Sequence, residues 1–179
     1  MKDSLSDFTK KLQEKIYMEV KEEWGEDIFE RWEKLLYRGK IDDPDGYACL
    51  TGKCGDTMEI FLRFEKERVK EASYMTDGCS SSNLCGSFAA ELSLGKTPDE
   101  LLDVTGETIF NKLGNLPSVE EHCAYLAAET LQEALNDFMI KHFREAKKYV
   151  TKSGQVNAFY GENQDKNSNN NGETGESGK

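Results

Sequence analysis

The sequence predicts an α+β domain in which a small three-stranded antiparallel sheet carries helices packed on it. Residues 57–64 alternate, with Met58, Ile60, Leu62 and Phe64 on one side and Thr57, Glu59, Phe61 and Arg63 on the other, the period-2 mark of a strand with one covered face. Residues 7–24 and 119–138 instead place apolar side chains three or four positions apart, the mark of amphipathic helices. Glycines and clusters of turn formers fall between these runs.

At the N-terminus, Phe8, Leu12, Ile16 and Val20 form a helical stripe that runs to Trp24, and Gly25 stops it. Asp27 with Glu30 resembles a capping box for a second helix that buries Phe29, Trp32, Leu35 and Leu36 and ends at Gly39. These extra helices, residues 1–40, are expected to pack on or flank the main domain, residues 41–150. The turn formers Asp42-Asp43-Pro44-Asp45-Gly46 lead into a first strand at Tyr47–Thr51. After the alternating second strand, Glu65-Lys66-Glu67 turns the chain back, and Val69–Thr76 reads as its antiparallel partner.

Ser80-Ser81-Ser82-Asn83 offers N-cap chemistry for a helix through Leu84, Phe88, Ala89 and Leu92 that stops at Gly95. Thr97-Pro98 opens a short helix with proline at its first position, and another is expected at Glu107–Leu113. Ser118 with Glu121 forms a capping-box pattern for a long C-terminal helix along Val119, Cys123, Leu126, Ala127, Leu131, Ala134, Leu135 and Phe138. Residues 151–179 are rich in Gly, Asn, Ser, Glu and Lys, and are expected to be a disordered polar tail.

The net charge of -11 argues against nucleic acid or an anionic membrane surface as partner, since both need clustered Lys and Arg. The first residues are charged and lack an apolar signal core, and no run reaches the roughly 18 apolar residues of a membrane span, so a cytoplasmic protein is expected. Five cysteines in such a chain point to metal binding or thiol chemistry ahead of disulfides.

The chemistry centres on Cys54-Gly55-Asp56, where a glycine lets a thiol and a carboxylate face one point. Cys79, at a helix N-terminus, favours the thiolate, and Cys123 falls in the first turn of another helix. Cys54, Asp56, Cys79 and Cys123 therefore form a candidate ligand set, with His122 as an alternative. Cys49 and Cys85 read as small buried hydrophobes. Three thiolates and a carboxylate suit either one zinc or the two irons of a [2Fe–2S] cluster. The hard carboxylate among soft ligands suits a site that lets its metal go.

The segments Gly52-Lys53-Cys54-Gly55-Asp56-Thr57-Met58, Thr76-Asp77-Gly78-Cys79, Glu91-Leu92-Ser93-Leu94-Gly95-Lys96-Thr97, and Leu116-Pro117 leading to His122-Cys123-Ala124-Tyr125-Leu126-Ala127 succeed one another with a recognisable spacing. Together they resemble the IscU/NifU N-terminal family of iron–sulfur cluster assembly scaffolds, from Asp43 to Phe138. The resemblance implies a three-stranded antiparallel sheet with helices packed on it, and a carrier that is not an enzyme. It implies that Cys54, Cys79 and Cys123 receive sulfur from a cysteine desulfurase. With Asp56 or His122, they would hold a transient [2Fe–2S] cluster built with iron from a donor and passed to apo iron–sulfur proteins. The alternative is a zinc-bound sulfurtransferase that accepts persulfide from the desulfurase, with zinc as resting occupant. Lys96 matches a lysine of the family motif and reads equally as a group near the site or a solvated helix-end cation. Glu120 stands where some members carry the lysine that engages a specialised Hsp70, and this charge reversal removes that chaperone from the expected partners.

Overall fold

Three strands form where the sequence alternates. In the computed structural model, which describes residues 2–114 and 121–152, β1 (Gly46–Thr51), β2 (Thr57–Glu65) and β3 (Arg68–Thr76) make one antiparallel sheet in the order β1-β2-β3. The β2–β3 loop is two residues long, with Lys66 at φ 52° and Glu67 at φ 62°. Left-handed angles at both central positions match the twist of the flanking strands. Thr51 pairs with Thr57 and Met58 with Thr76, so the end of β1, the start of β2 and the end of β3 share one end of the sheet.

One face of this sheet carries the core. Met58, Ile60 and Leu62 from β2 and Val69, Ala72 and Tyr74 from β3 are buried with Leu84, Cys85, Phe88 and Ala89 of α3 (Ser80–Ser93). Burial of each large apolar side chain stabilises by roughly 1.5–3 kcal/mol. The opposite face is not fully open as the alternation implied, because Phe61 is buried there. Its ring lies 5.0 Å from that of Tyr47. Lys40 pairs with Glu59 at 3.8 Å and Arg63 donates to the Asp42 carbonyl, so the chain before β1 crosses over this face.

The N-terminal helices differ from the expectation in which faces are covered and where α2 begins and ends. In α1 (Lys2–Trp24) the side chains of Phe8, Leu12 and Ile16 are exposed, so that part of the stripe does not pack on the domain, and the side chain of Val20 lies outside the described set. Periodicity establishes an amphipathic helix but says nothing of what covers it. Tyr17 meets the rings of Phe29 and Trp32 at 5.3 and 6.0 Å and ties α1 to α2 (Glu26–Lys34). Gly25 occupies the N-cap of α2 without a side-chain cap, and Asp27 sits inside the first turn, so the expected Asp27–Glu30 capping box does not form. Its acidic charge there still favours the positive end of the helix dipole. Leu35, at φ 47°, ends α2 four residues before Gly39. The freed segment then borders β3: Tyr37 O accepts from Tyr74 N at 3.1 Å and Gly39 N donates to Tyr74 O at 3.0 Å. Arg31 clamps α2 to α3, donating to Ser87 Oγ at 2.8 Å, pairing with Glu91 and lying 4.0 Å over the Phe88 ring.

Cys79, one residue ahead of the serines, is the N-cap of α3. α4 (Pro98–Leu101) starts with a Thr97–Glu100 capping box and Pro98 in its first turn, and α5 (Gly106–Leu113) comes next, capped by Thr105. α6 (Glu121–Lys152) buries Cys123, Ala124, Ala127, Leu131, Ala134, Leu135 and Phe138, the stripe read from its spacing. The Ser118 cap and the Leu116-Pro117 segment lie outside the described residues, as does the tail from 153 onward. The chain divides into two units, Met1–Phe143, which holds the sheet and the core, and Arg144–Lys179, which opens with the last turns of α6.

Candidate metal centre

The turn between β1 and β2 aims Asp56 across the end of the sheet. Gly52 O accepts from Gly55 N at 3.0 Å and Gly52 N donates to Asp56 O at 2.9 Å, closing the loop at both ends. Gly55 sits at φ 94°, where a side chain would strain the backbone. The loop after β3 is locked to this turn. Thr57 N donates to Asp77 Oδ1 at 2.7 Å, Thr76 Oγ1 donates to Thr57 O at 2.6 Å, and Gly78 N donates to Thr76 Oγ1 at 3.0 Å. Only glycine fits at position 78, because a Cβ there would stand 2.6 Å from Asp56 Cγ and 2.8 Å from Ser82 Cβ.

Asp56 Oδ2 accepts from Ser82 Oγ at 2.6 Å and from Cys79 N at 3.3 Å. The Ser82 hydroxyl holds the Asp56 carboxyl below its ordinary value, with the Cys79 amide adding to the effect and partial burial opposing it. Ser82 itself is fully buried. Its Oγ lies 3.4 Å from the buried Cys123 Sγ and accepts from the exposed Cys79 Sγ at 3.7 Å. His122 Nε2 is 3.4 Å from Cys123 Sγ, at the exposed rim.

The ligand atoms of Asp56, Cys79 and Cys123 lie within 4.8 Å of one another. Metal–sulfur bonds of about 2.3 Å set tetrahedral ligands about 3.8 Å apart, so a common ion asks the trio to contract by at most about 1 Å. The donor set fits a soft, thiophilic metal with one hard ligand. Both cysteines stand at the first turn of a helix, Cys79 as the N-cap of α3 and Cys123 as the third residue of α6. Sequence reasoning thus named three residues that the fold brings together. Cys54 stands outside that trio, exposed on the turn, where a Cβ at Gly52 would sit 3.4 Å from its sulfur.

Of the two readings of Lys96 its position favours the helix-end cation, and the expectation for Cys49 is corrected. Lys96 lies beyond the C-terminus of α3, and its carbonyl accepts from Val69 N near the start of β3. The length of α3, about 20 Å at 1.5 Å per residue, separates it from Cys79, so it is not adjacent to the centre. Cys49 is exposed, because strand alternation sends it outward with Tyr47 and Thr51 while Ala48 and Leu50 turn inward. Cys85 is buried as expected. Ser82, read from the sequence only as N-cap material, belongs to the site; its spacing from Cys79, three residues on in the first turn of a helix, places both on one face.

Among the described residues no helix is long and apolar enough to cross a membrane. Fold and candidate centre together define a class: an α+β domain that brings two thiols and a carboxylate together at one end of an antiparallel sheet. The chain belongs to the family described as NifU-like N terminal domain, which matches residues 23–145 and so takes in α2. It is 32% identical over 120 residues to the iron–sulfur cluster assembly scaffold protein IscU 1 of Archaeoglobus fulgidus, covering 66% of this chain and 78% of that protein. It is 31% identical over 135 residues to the iron–sulfur cluster assembly protein IscU of Plasmodium falciparum, covering 73% and 80%. The crystal structure of a nitrogen-fixing NifU-like protein (N-terminal) from Brucella abortus shares the fold with a TM-score of 0.53 at 18% identity, covering 68% of this chain and 98% of that one.

Proposed function

We propose that this protein is an iron–sulfur cluster assembly scaffold that builds a transient [2Fe–2S] cluster and hands it to apo-proteins. The observation that carries the reading is the convergence of Asp56, Cys79 and Cys123 within 4.8 Å at one end of the sheet. Membership of a family whose relatives are named as cluster assembly scaffolds supports it.

The cluster is cargo. Cys79, Cys123 and Asp56 supply three ligands, and Cys54 turns in from its exposed loop as the fourth, with His122 at the rim as the alternative. Sulfur arrives as persulfide from a cysteine desulfurase on the exposed Cys54 or Cys79, and iron comes from a donor. Electrons supplied from outside reduce the persulfide sulfur to sulfide. The hard carboxylate of Asp56 then keeps the cluster loosely held, so that a client with four thiolates takes it.

Anaerobic reconstitution with iron, cysteine and a desulfurase tests this, read by absorption and Mössbauer spectroscopy beside total metal analysis. A [2Fe–2S] spectrum that fades as an apo-ferredoxin gains its cluster is the expected result. Tightly held zinc, with no cluster formed after chelation, would overturn it.

A further inference from the structure

We infer that Ser82 is a release residue, whose hydroxyl competes with the bound metal for Asp56 and recloses the site when the metal leaves. For what the metal belongs to, this rests on the scaffold reading above.

Ser82 is fully buried, and its oxygen stands among all three ligands: 2.6 Å from Asp56 Oδ2, 3.4 Å from Cys123 Sγ and 3.7 Å from Cys79 Sγ. A hydroxyl has one proton to donate. The short contact and the negative charge put that proton on Asp56 in preference to Cys123 Sγ, and the oxygen accepts from Cys79 Sγ. One buried hydroxyl thereby touches all three side chains. The same Asp56 oxygen also accepts from Cys79 N at 3.3 Å, so two donors already occupy it.

A metal that draws in the thiols meets this oxygen engaged. A metal that takes this oxygen requires the Ser82 O–H to leave Asp56, and Cys123 Sγ at 3.4 Å is the acceptor within reach. On release the O–H returns to the carboxylate. The bond broken on loading is remade on unloading, so Ser82 lowers retention through Asp56 and acts as a positioning residue.

The test uses the metal-free full chain with cobalt(II) as probe, its affinity measured by competition with a chelator and its coordination by visible absorption. Ser82→Ala is expected to bind cobalt about tenfold more tightly, the scale of one lost charge-assisted hydrogen bond. In an Asp56→Ala background the same change is expected to leave affinity where it was. Ser81→Ala, one residue away in the same turn, serves as control, and thermal melting reports folding. Unchanged or weaker cobalt binding in Ser82→Ala would overturn the inference, the latter by making Ser82 an orienting partner. Persistence of the gain without Asp56 would overturn it too, as would an equal gain from Ser81→Ala. Should Ser82→Ala unfold, Ser82→Gly removes the same hydroxyl without adding a ligand and is expected to tighten binding by a similar factor; no tightening there counts against the inference. Because the cobalt cycle needs no cluster, a wild-type chain that fails to assemble one would sink the scaffold reading and leave this result standing.

Discussion

The two ends of the sheet solve opposite problems. At the far end, the Lys66-Glu67 hairpin is fringed by ion pairs, Lys70–Glu65 at 3.3 Å and Arg68–Glu100 at 3.0 Å, and by the Thr97–Glu100 capping box. Each exposed pair contributes little, about 0–1 kcal/mol, and any one can be lost without consequence. At the near end, Gly55, Gly78, Ser82, Asp56, Cys79 and Cys123 interlock through short bonds and close approaches, and few substitutions fit. One end tolerates change because its interactions are solvated and redundant; the other is constrained because its groups share one small volume.

Glycine substitutions at the two ends should separate them most strongly. Gly78→Ala drives a methyl against Asp56 and Ser82 and is expected to cost about 2 kcal/mol and to abolish tight cobalt binding. Gly95→Ala, at φ 75° with open space around its Cβ, is expected to cost about 1 kcal/mol of backbone strain and leave cobalt binding intact. Urea unfolding beside cobalt titration checks both, and equal loss of binding would erase the contrast.

Next in size is Asp56→Cys, which replaces the hard ligand by a soft one. Transfer of the cluster to apo-ferredoxin is expected to slow by about tenfold, equivalent to roughly 1.4 kcal/mol of added retention. Faster transfer would remove the argument from the labile carboxylate.

A pH series sharpens the comparison further. Asp56 has a folded value depressed below the ordinary value of about 3.9, chiefly by Ser82. Its stabilising contribution is therefore fully present above that ordinary value and lost as pH falls through the depressed one. Asp56→Asn should be less stable than the parent at neutral pH, with the gap narrowing only below about pH 4. Urea midpoints across that range give the answer, and a gap that does not change with pH contradicts it. Smallest of all, Lys96→Ala at the tolerant end is expected to leave cluster transfer unchanged and stability within about 0.5 kcal/mol.

Much of this contrast was legible in the residues. The alternation of Met58, Ile60 and Leu62 located β2, and glycine beside cysteine located the loops of the centre. Register was not legible, since it follows from loop length, and the turn read as Glu65-Lys66-Glu67 is a loop of Lys66-Glu67 alone, with Glu65 paired to Arg68. Coverage depends instead on contacts between distant segments: Phe61 alternates to the polar side, yet residues 40–45 cross over it, whereas the stripe of Phe8, Leu12 and Ile16 is apolar and exposed. Cys49 was misjudged because residue type was weighed ahead of strand parity. Ser82 escaped because a serine has no chemistry of its own until its neighbours are known.

The hydrogen bonds that Tyr74 makes with Tyr37 O and Gly39 N carry a consequence for solubility. An outer strand offers unpaired backbone groups on which another chain can add itself. Here the polypeptide spends its own leader segment on β3, while on β1 the Tyr47 N–H is taken by Asp137 Oδ2 at 3.0 Å. Both flanks of the sheet are thus blunted from within. A variant cut back beyond Gly39 would bare the β3 flank and should gather into sheet-extended assemblies as its concentration rises.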